Sequence, residues 1–173
     1  MKPIFIAVAM SAALTAQTIT REAFAPYGWL IDAMGGTGRT INAGSSQRID
    51  NLTELAFDAE GGAPCLAVFR AQRRDIAGPW QEMERHALGT QTFIPLDGAR
   101  CVVLVAAAGD QPAADTLAAF LVAGHQGITL RAGTWHHALL ALDGGDFVVI
   151  ERRAERVDCD LAQLATPVHL VLG

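Results

Sequence analysis

The chain is short of the features that mark several large classes of protein. Its 173 residues include only three cysteines, which are far apart and form no CxxC pair, so neither a disulfide framework nor a thiolate zinc site is expected. No apolar run reaches the roughly 18 to 20 residues that span a bilayer, which argues against a membrane protein. Basic residues are scattered along a chain of net charge -5, so no concentrated cationic surface for nucleic acid is expected. These absences leave a small molecule as the expected partner.

Apolar sequence is abundant. Hydrophobic residues make up 51% of the chain and charged residues 18%, a composition that is ample for one packed core and argues against disorder. No internal repeat, linker or low-complexity tract divides the chain. We therefore predict a single domain over residues 18–173, preceded by an N-terminal extension over residues 1–17.

The N-terminal extension permits two interpretations. Lys2 is followed by the apolar residues 4–9 and then by small residues at Ala13 and Ala16, an order that resembles a short secretory signal. The apolar run is short, however, and Met10 would serve equally well as the start of a cytoplasmic protein. The scattered cysteines favour reduced thiols and so the cytoplasm.

Short β-rich runs separated by turn residues dominate the chain after residue 64. They are predicted at residues 65–69, 91–96, 101–106, 135–142, 146–151 and 168–172. The turns at residues 96–98 and 143–146 contain the glycines that hairpins require. This pattern predicts a mainly β fold, an antiparallel β-barrel or jelly roll.

Two short helices are expected to interrupt the strands. Thr20 is a suitable N-cap for a helix through Phe24, with Glu22 in the first turn, where the helix dipole favours negative charge. Residues 115–123 begin with an Asp, contain good helix formers and precede Gly124, which predicts a second helix.

Two stretches of polar residues carry the candidate chemistry. Glu84 and His86 are two residues apart, so on a strand both project from the same face, and Gln91 belongs to the next stretch. With the turn glycine Gly98, this spacing resembles the first motif of the cupins, in which two histidines are followed by a glutamate. Glu84 and Gln91 stand in place of the first histidine and the glutamate, so the usual metal-binding set is altered.

The second cupin motif has a histidine three residues after a glycine, and Gly133 and His136 match it. His137 points to the opposite face and is expected to be an outer or subunit-contact residue. For His86 alone, the solvated face of an antiparallel strand is an equally good interpretation. Together the matching positions favour one site inside a barrel mouth.

The resemblance extends beyond the cupin motifs. The strings that carry it are AFAPYG at 23–28, INAG at 41–44, FR at 69–70, MERH at 83–86 through Pro95, QG at 126–127, GTWHH at 133–137 and DF at 146–147 through ER at 151–152. Their order and spacing are similar to those of the ureidoglycolate lyase family, from about residue 18 to the end. Members of that family cleave (S)-ureidoglycolate to glyoxylate and urea in allantoin and purine degradation.

The resemblance implies roles for particular residues. Glu84, His86 and His136 are expected to be catalytic, with His136 or Glu84 taking a hydroxyl proton and His86 serving the leaving nitrogen. The same three residues are candidate ligands of a divalent nickel, zinc or manganese ion, and no organic cofactor is implied. Four further residues are expected to bind substrate, namely Arg70 at the carboxylate, Gln91 and Gln126 at the ureido group, and Asn42.

Other readings of the same motifs stay open. A non-catalytic cupin would bind a small carboxylate without turnover, and a metal-dependent cupin enzyme would act on another small acid. For Arg70, a surface ion pair with Asp75 or Glu82 competes with the binding role. Exposed barrel edges and the family resemblance favour a homodimer in the cytoplasm.

Overall fold

A computed structural model of the protein describes residues 12–34 and 36–173, and the signal-like run and the alternative start at Met10 lie outside them. Six strands form a closed barrel in the order β11-β6-β14-β1-β9-β8, and β11 closes the ring by pairing with β8. Their bounds are β1 Ala12–Thr18, β6 Trp80–Arg85, β8 Cys101–Ala106, β9 Ala118–Val122, β11 Trp135–His136 and β14 Asp160–Leu172. The short β12, Leu140–Ala141, pairs with the other end of β8.

A five-stranded antiparallel sheet lies beside the barrel. Its order is β2-β10-β7-β13-β5, so that β5 forms one edge. The bounds are β2 Gly28–Ile31, β5 Ala63–Ala71, β7 Gln91–Pro95, β10 Gly127–Leu130 and β13 Gly145–Arg153. A separate hairpin consists of β3 Arg39–Ile41 and β4 Ser46–Arg48.

Helical structure is confined to short segments. The helix α1, Arg21–Phe24, begins at Thr20, whose side chain accepts a hydrogen bond from the backbone N–H of Ala23, as expected of an N-cap. Single 3-10 turns occur at Asn42–Gly44, Ala59–Gly61 and Ala114–Thr116. No helix within the described ranges has both the length and the apolar character that crossing a bilayer requires.

Two hydrophobic cores meet at β8. Val103 and Val105 belong to the core between the barrel wall and the five-stranded sheet, whereas Val102 and Leu104 belong to the core inside the barrel. Because both faces of β8 are covered, its sequence is continuously apolar rather than alternating. The mainly β, cupin-like architecture expected from the sequence is confirmed. Most strands are antiparallel, but β1 runs parallel to both of its neighbours.

Some element predictions need correction. The helix predicted over residues 115–123 is wrong, because that segment contains the strand β9 after a single 3-10 turn. The run predicted over 135–142 is interrupted between β11 and β12, and β14 begins eight residues before the predicted start at 168. Residues 12–17, assigned to an N-terminal extension, form most of β1 and pair within the barrel.

Candidate active site

Glu84 and His136 lie side by side on the outer wall of the barrel. They are directly opposite each other on the antiparallel strands β6 and β11. Their neighbours Met83 and Trp135 point into the barrel core, so the alternation of side chains sends Glu84 and His136 outward. His86 follows the end of β6. The ligand atoms of the three residues lie within 4.8 Å of one another, so the predicted convergence is found. The predicted place inside a barrel mouth is wrong, because Met83 and Trp135 take the inward positions and the cluster lies on the outer wall.

The carboxylate of Glu84 is in close contact with His136. Oε1 of Glu84 lies 3.2 Å from Nε2 of His136, although the pair is not aligned as a good hydrogen bond. His136 is only 2% exposed, whereas the side chain of Glu84 is half-buried. The contact with His136 holds the pKa of the Glu84 carboxyl below its usual value, against burial, which raises it. Glu84 is therefore a carboxylate at neutral pH.

Backbone carbonyls fix the orientation of both imidazoles. Nδ1 of His136 donates to the carbonyl of Thr134 at 3.2 Å, and Nδ1 of His86 donates to the carbonyl of Asp158. A carbonyl only accepts, so in the neutral rings the hydrogen lies on Nδ1 and the lone pair on Nε2. Both Nε2 atoms are buried and have no hydrogen-bond partner in the part of the chain that the structure describes. Two imidazole lone pairs and a carboxylate thus converge, and this donor set fits a divalent cation such as nickel, zinc or manganese.

Asp158 positions His86. Besides the backbone contact to the ring, its carboxylate accepts hydrogen bonds from the backbone N–H groups of Ala87 and Leu88, at 2.9 and 2.8 Å. These bonds hold the turn after β6 against the segment that leads into β14. The direction of the His86 ring therefore depends on a residue more than seventy positions away in the chain.

A cavity of about 270 Å³ adjoins the cluster, and His86 is part of its wall. On the side of the five-stranded sheet its lining includes Cys65, Glu151 and Arg153, and Cys159 lies near the start of β14. Gln91, only 5% exposed, donates a hydrogen bond of 2.8 Å from Nε2 to the carboxylate of Glu151. The cavity therefore combines an imidazole with groups of both charges.

Comparison with known proteins identifies the family. The family model described as ureidoglycolate lyase matches residues 11–171. A ureidoglycolate lyase of Burkholderia cepacia is 43% identical over 150 residues, which cover 85% of this chain and 84% of the relative. A relative of the same name from Pseudomonas fluorescens is 36% identical over 148 residues, which cover 85% of this chain and 89% of the relative. Another from Pseudomonas syringae is 34% identical over 160 residues, which cover 92% of this chain and 94% of the relative. The chain belongs to the ureidoglycolate lyase family.

The expected substrate-binding residues of this ureidoglycolate lyase family member lie in different places. Arg70 is exposed near one end of β5 and forms two bonds of 2.9 Å with Asp146, not with Asp75 or Glu82. Asn42 is exposed at the tip of the β3–β4 hairpin. Gln126 is buried with both ends of its amide engaged, by the backbone of Ala123 and by Asp32. The structure does not bring these three to the cluster.

Sequence reasoning missed several residues of the cavity. Glu151, which the sequence offers only as part of a family string, contacts Gln91, and its neighbour Arg152 donates to the carbonyls of Ala59 and Glu60. Arg153 and Asp158 were not singled out at all. The available signal was the two-residue spacing of Glu151 and Arg153 after an apolar strand, which places both side chains on one face.

Proposed function

We propose that the protein is a ureidoglycolate lyase, which cleaves (S)-ureidoglycolate to glyoxylate and urea in allantoin and purine degradation. Membership of the family along nearly the whole chain is the observation that carries the proposal. The convergence of Glu84, His86 and His136 beside a cavity of about 270 Å³ supports it, because the cavity can admit a small acid next to groups that move protons.

The reaction breaks the bond between a ureido nitrogen and a carbon that carries a hydroxyl and a carboxylate. A base removes the hydroxyl proton, the oxygen forms the carbonyl of glyoxylate, and the electron pair of the broken bond goes to the nitrogen. An acid then gives that nitrogen the proton it needs to leave as urea. Each positioned acid or base contributes about 10² to 10⁴-fold to such a rate.

The roles in the cluster follow from its geometry. Glu84 is ionised and half-buried, so it can accept the hydroxyl proton, and His136 beside it can share that proton. His86 lines the cavity itself and is assigned to the leaving nitrogen. In this scheme Gln91 acts at the ureido end through its contact with Glu151.

Glu84, His86 and His136 are also the proposed ligands of a divalent nickel, zinc or manganese ion. The buried Nε2 atoms of both histidines support this assignment, because their lone pairs have no hydrogen-bond donor among the described residues and a bound cation would satisfy them. When bound, such an ion would act as a Lewis acid toward the oxygen atoms of the substrate.

The test is to incubate the purified protein with racemic ureidoglycolate, with and without chelator, and to follow glyoxylate, urea and ammonia. We expect equal amounts of glyoxylate and urea and consumption of one enantiomer. Ammonia and carbon dioxide in place of urea would indicate hydrolysis of the ureido group and would reject the lyase. Binding without turnover would favour the non-catalytic alternative.

We further propose a cytoplasmic homodimer. The three cysteines of the chain are all free thiols, which supports a reducing compartment such as the cytoplasm. On the outer face of the five-stranded sheet, Leu66 and Val68 are 69% and 50% exposed beside the half-buried Val148 and Ile150. An apolar face on an edge strand is typical of a subunit interface, and a second copy of the chain would cover it.

A further inference from the structure

The cavity beside His86 contains a cation without a partner. Arg153 lines it, and its guanidinium makes no hydrogen bond or ion pair with any residue in the described ranges. Arg152 donates through Nε and Nη2 to the carbonyls of Ala59 and Glu60, although its Nη1 is buried without a partner among the described residues, and Arg156 contacts the carboxylate of Glu60 at 3.5 Å. Arg153 is therefore the arginine of this wall whose whole guanidinium is available to a carboxylate ligand.

Glu151, in the same wall, is bonded to a buried amide that has an acceptor without a donor. Gln91, the neighbour in sequence of the lining residue Thr90, gives its Nε2 hydrogen to Glu151, and its Oε1 is buried without a hydrogen-bond partner among the described residues. A buried acceptor left unpaired costs free energy, so its pairing with an N–H group of a ligand would be favourable. The carboxylate of Glu151 has a second oxygen that also accepts. Together the two side chains offer acceptors, and the N–H groups of a ureido group are donors.

The spacing of these groups matches one small molecule with two different ends. Glu151 and Arg153 are two residues apart on β13, so their side chains leave the same face about 7 Å apart at the usual rise of a strand. A ureido acid carries N–H donors at one end and a carboxylate at the other. His86, which lines the same cavity, would then be near the carbon between the two ends.

We propose that this cavity fixes the direction of a ureido acid, with Arg153 binding its carboxylate and the Glu151–Gln91 pair binding its ureido N–H groups. The inference rests on the proposed function and adds the side chains that bind the carboxylate end and the ureido end of the substrate. It replaces Arg70, which is paired with Asp146, by an arginine that lines the cavity. Neither Glu151 nor Arg153 is given a role in proton transfer.

The experiment uses two ligands that cannot be cleaved. N-Carbamoylglycine has both the ureido group and the carboxylate but lacks the hydroxyl, and glycolate has the carboxylate but no ureido group. Dissociation constants of both are measured by calorimetry for the wild type and for the variants Arg153→Gln and Glu151→Gln. Arg100→Gln is the matched control, because Arg100 is exposed and bound to Asp143, which lies just before β13 begins. Circular dichroism and thermal unfolding confirm that each variant folds.

We expect Arg153→Gln to weaken both ligands about tenfold or more, since charge-assisted bonds to a carboxylate are lost. Glu151→Gln should weaken N-carbamoylglycine by a similar factor and leave glycolate within about twofold, because only one ligand has ureido N–H groups. The control should bind both as the wild type does. In Glu151→Gln, a merely structural role would weaken both ligands together, and thermal unfolding separates a loss of fold from a loss of the carboxylate contact in Arg153→Gln.

The proposal is overturned if Arg153→Gln leaves glycolate binding unchanged, if Glu151→Gln weakens both ligands equally, or if the wild type binds no N-carbamoylglycine. Turnover of ureidoglycolate is measured separately on the wild type. Turnover without the expected binding pattern would support the lyase assignment and would reject this inference. The binding pattern without turnover would do the reverse.

Discussion

Two imidazole nitrogens and one carboxylate oxygen define the chemistry of the molecule at the scale of single residues. Backbone carbonyls fix the hydrogen of each ring on Nδ1, so the Nε2 lone pairs of His86 and His136 both face the cluster. Glu84 adds a negative charge in the same place. Three acceptors this close repel one another unless a proton or a cation lies between them. A shared proton and a bound cation would each help to move a proton to or from a substrate.

Replacing His136 by Ala should therefore abolish most of the activity. We expect kcat/KM for glyoxylate release to fall by about 10²-fold or more, because a positioned acid or base and the partner of Glu84 are both lost. His125→Ala is the control, since His125 is exposed and interacts electrostatically with Asp32, which is not part of the cluster. Steady-state assays with circular dichroism on both variants check the prediction. Near-normal turnover in a folded His136→Ala protein would contradict it.

Removal of metal gives a second prediction for the same residues. After dialysis against chelator, the protein should take up about one divalent ion per chain, as three converging protein ligands predict. Elemental analysis and competition with a coloured chelator measure this directly. Glu84→Gln should weaken the binding strongly, whereas Glu82→Gln, on the same strand but exposed, should not. Equal affinity in these two variants would place the ion elsewhere.

At the scale of elements, the close approach of β2 and β10 explains a glycine in the first family string. A Cβ atom on Gly28 would lie 1.9 Å from the backbone oxygen of Thr129, so no other residue fits without moving a strand. Gly28→Ala should lower the free energy of unfolding by about 1 to 3 kcal/mol. Urea denaturation checks this, with Gly109→Ala as control, because its nearest contact would be an ordinary 3.5 Å. Equal loss in both variants would rule out the clash as the cause.

Strand prediction from the sequence found β5, β7, β8 and β13, but it did not include β1, β2 or β10 and it assigned β9 to a helix. Ala119 belongs to the core inside the barrel and Phe120 to the core outside it, so both faces are buried and the alternation is lost. A short apolar run rich in Ala and Leu then reads equally well as a helix, and only the tertiary packing decides. The turns at Gly98 and Gly144 were predicted correctly, and both glycines have a positive φ. The hairpins expected there are wrong, because each turn joins a strand of the barrel sheet to a strand of the five-stranded sheet.

The cluster was predictable because strand alternation and two short motifs are local signals. Glu84 and His86 share a face by spacing alone, and His136 lies three residues after the glycine of the second motif. The cavity was not predictable in the same way. Whether an arginine near a strand end meets a carboxylate or lines a cavity depends on strand register. The register of β13 and β5 pairs Asp146 with Arg70 at one end, and Arg153 at the other end lines the cavity.

For the whole molecule, the core between barrel and sheet predicts a loss of stability at alkaline pH. Burial raises the pKa of the Cys101 thiol to about 12, from 9.0 when it is exposed. Above pH 9 the unfolded chain ionises while the folded chain does not, so stability is lost as the pH rises toward 12. Urea midpoints between pH 8 and about 11 should fall more steeply for the wild type than for Cys101→Ala. Parallel curves would show that Cys101 does not contribute.

The exposed apolar face of the five-stranded sheet predicts how two copies of the chain would assemble. Leu66 and Val68 project from the edge strand β5 on the face opposite to the core, and a homodimer would remove them from water. Substituting both by Lys should convert a dimer to a monomer without loss of the fold, because neither residue is buried in the chain itself. Val171→Lys is the control, since Val171 is 47% exposed on the barrel strand β14. Light scattering after size-exclusion chromatography gives the molecular masses. The interface would lie on the barrel if the dimer persists after the Leu66 and Val68 substitutions but dissociates in Val171→Lys.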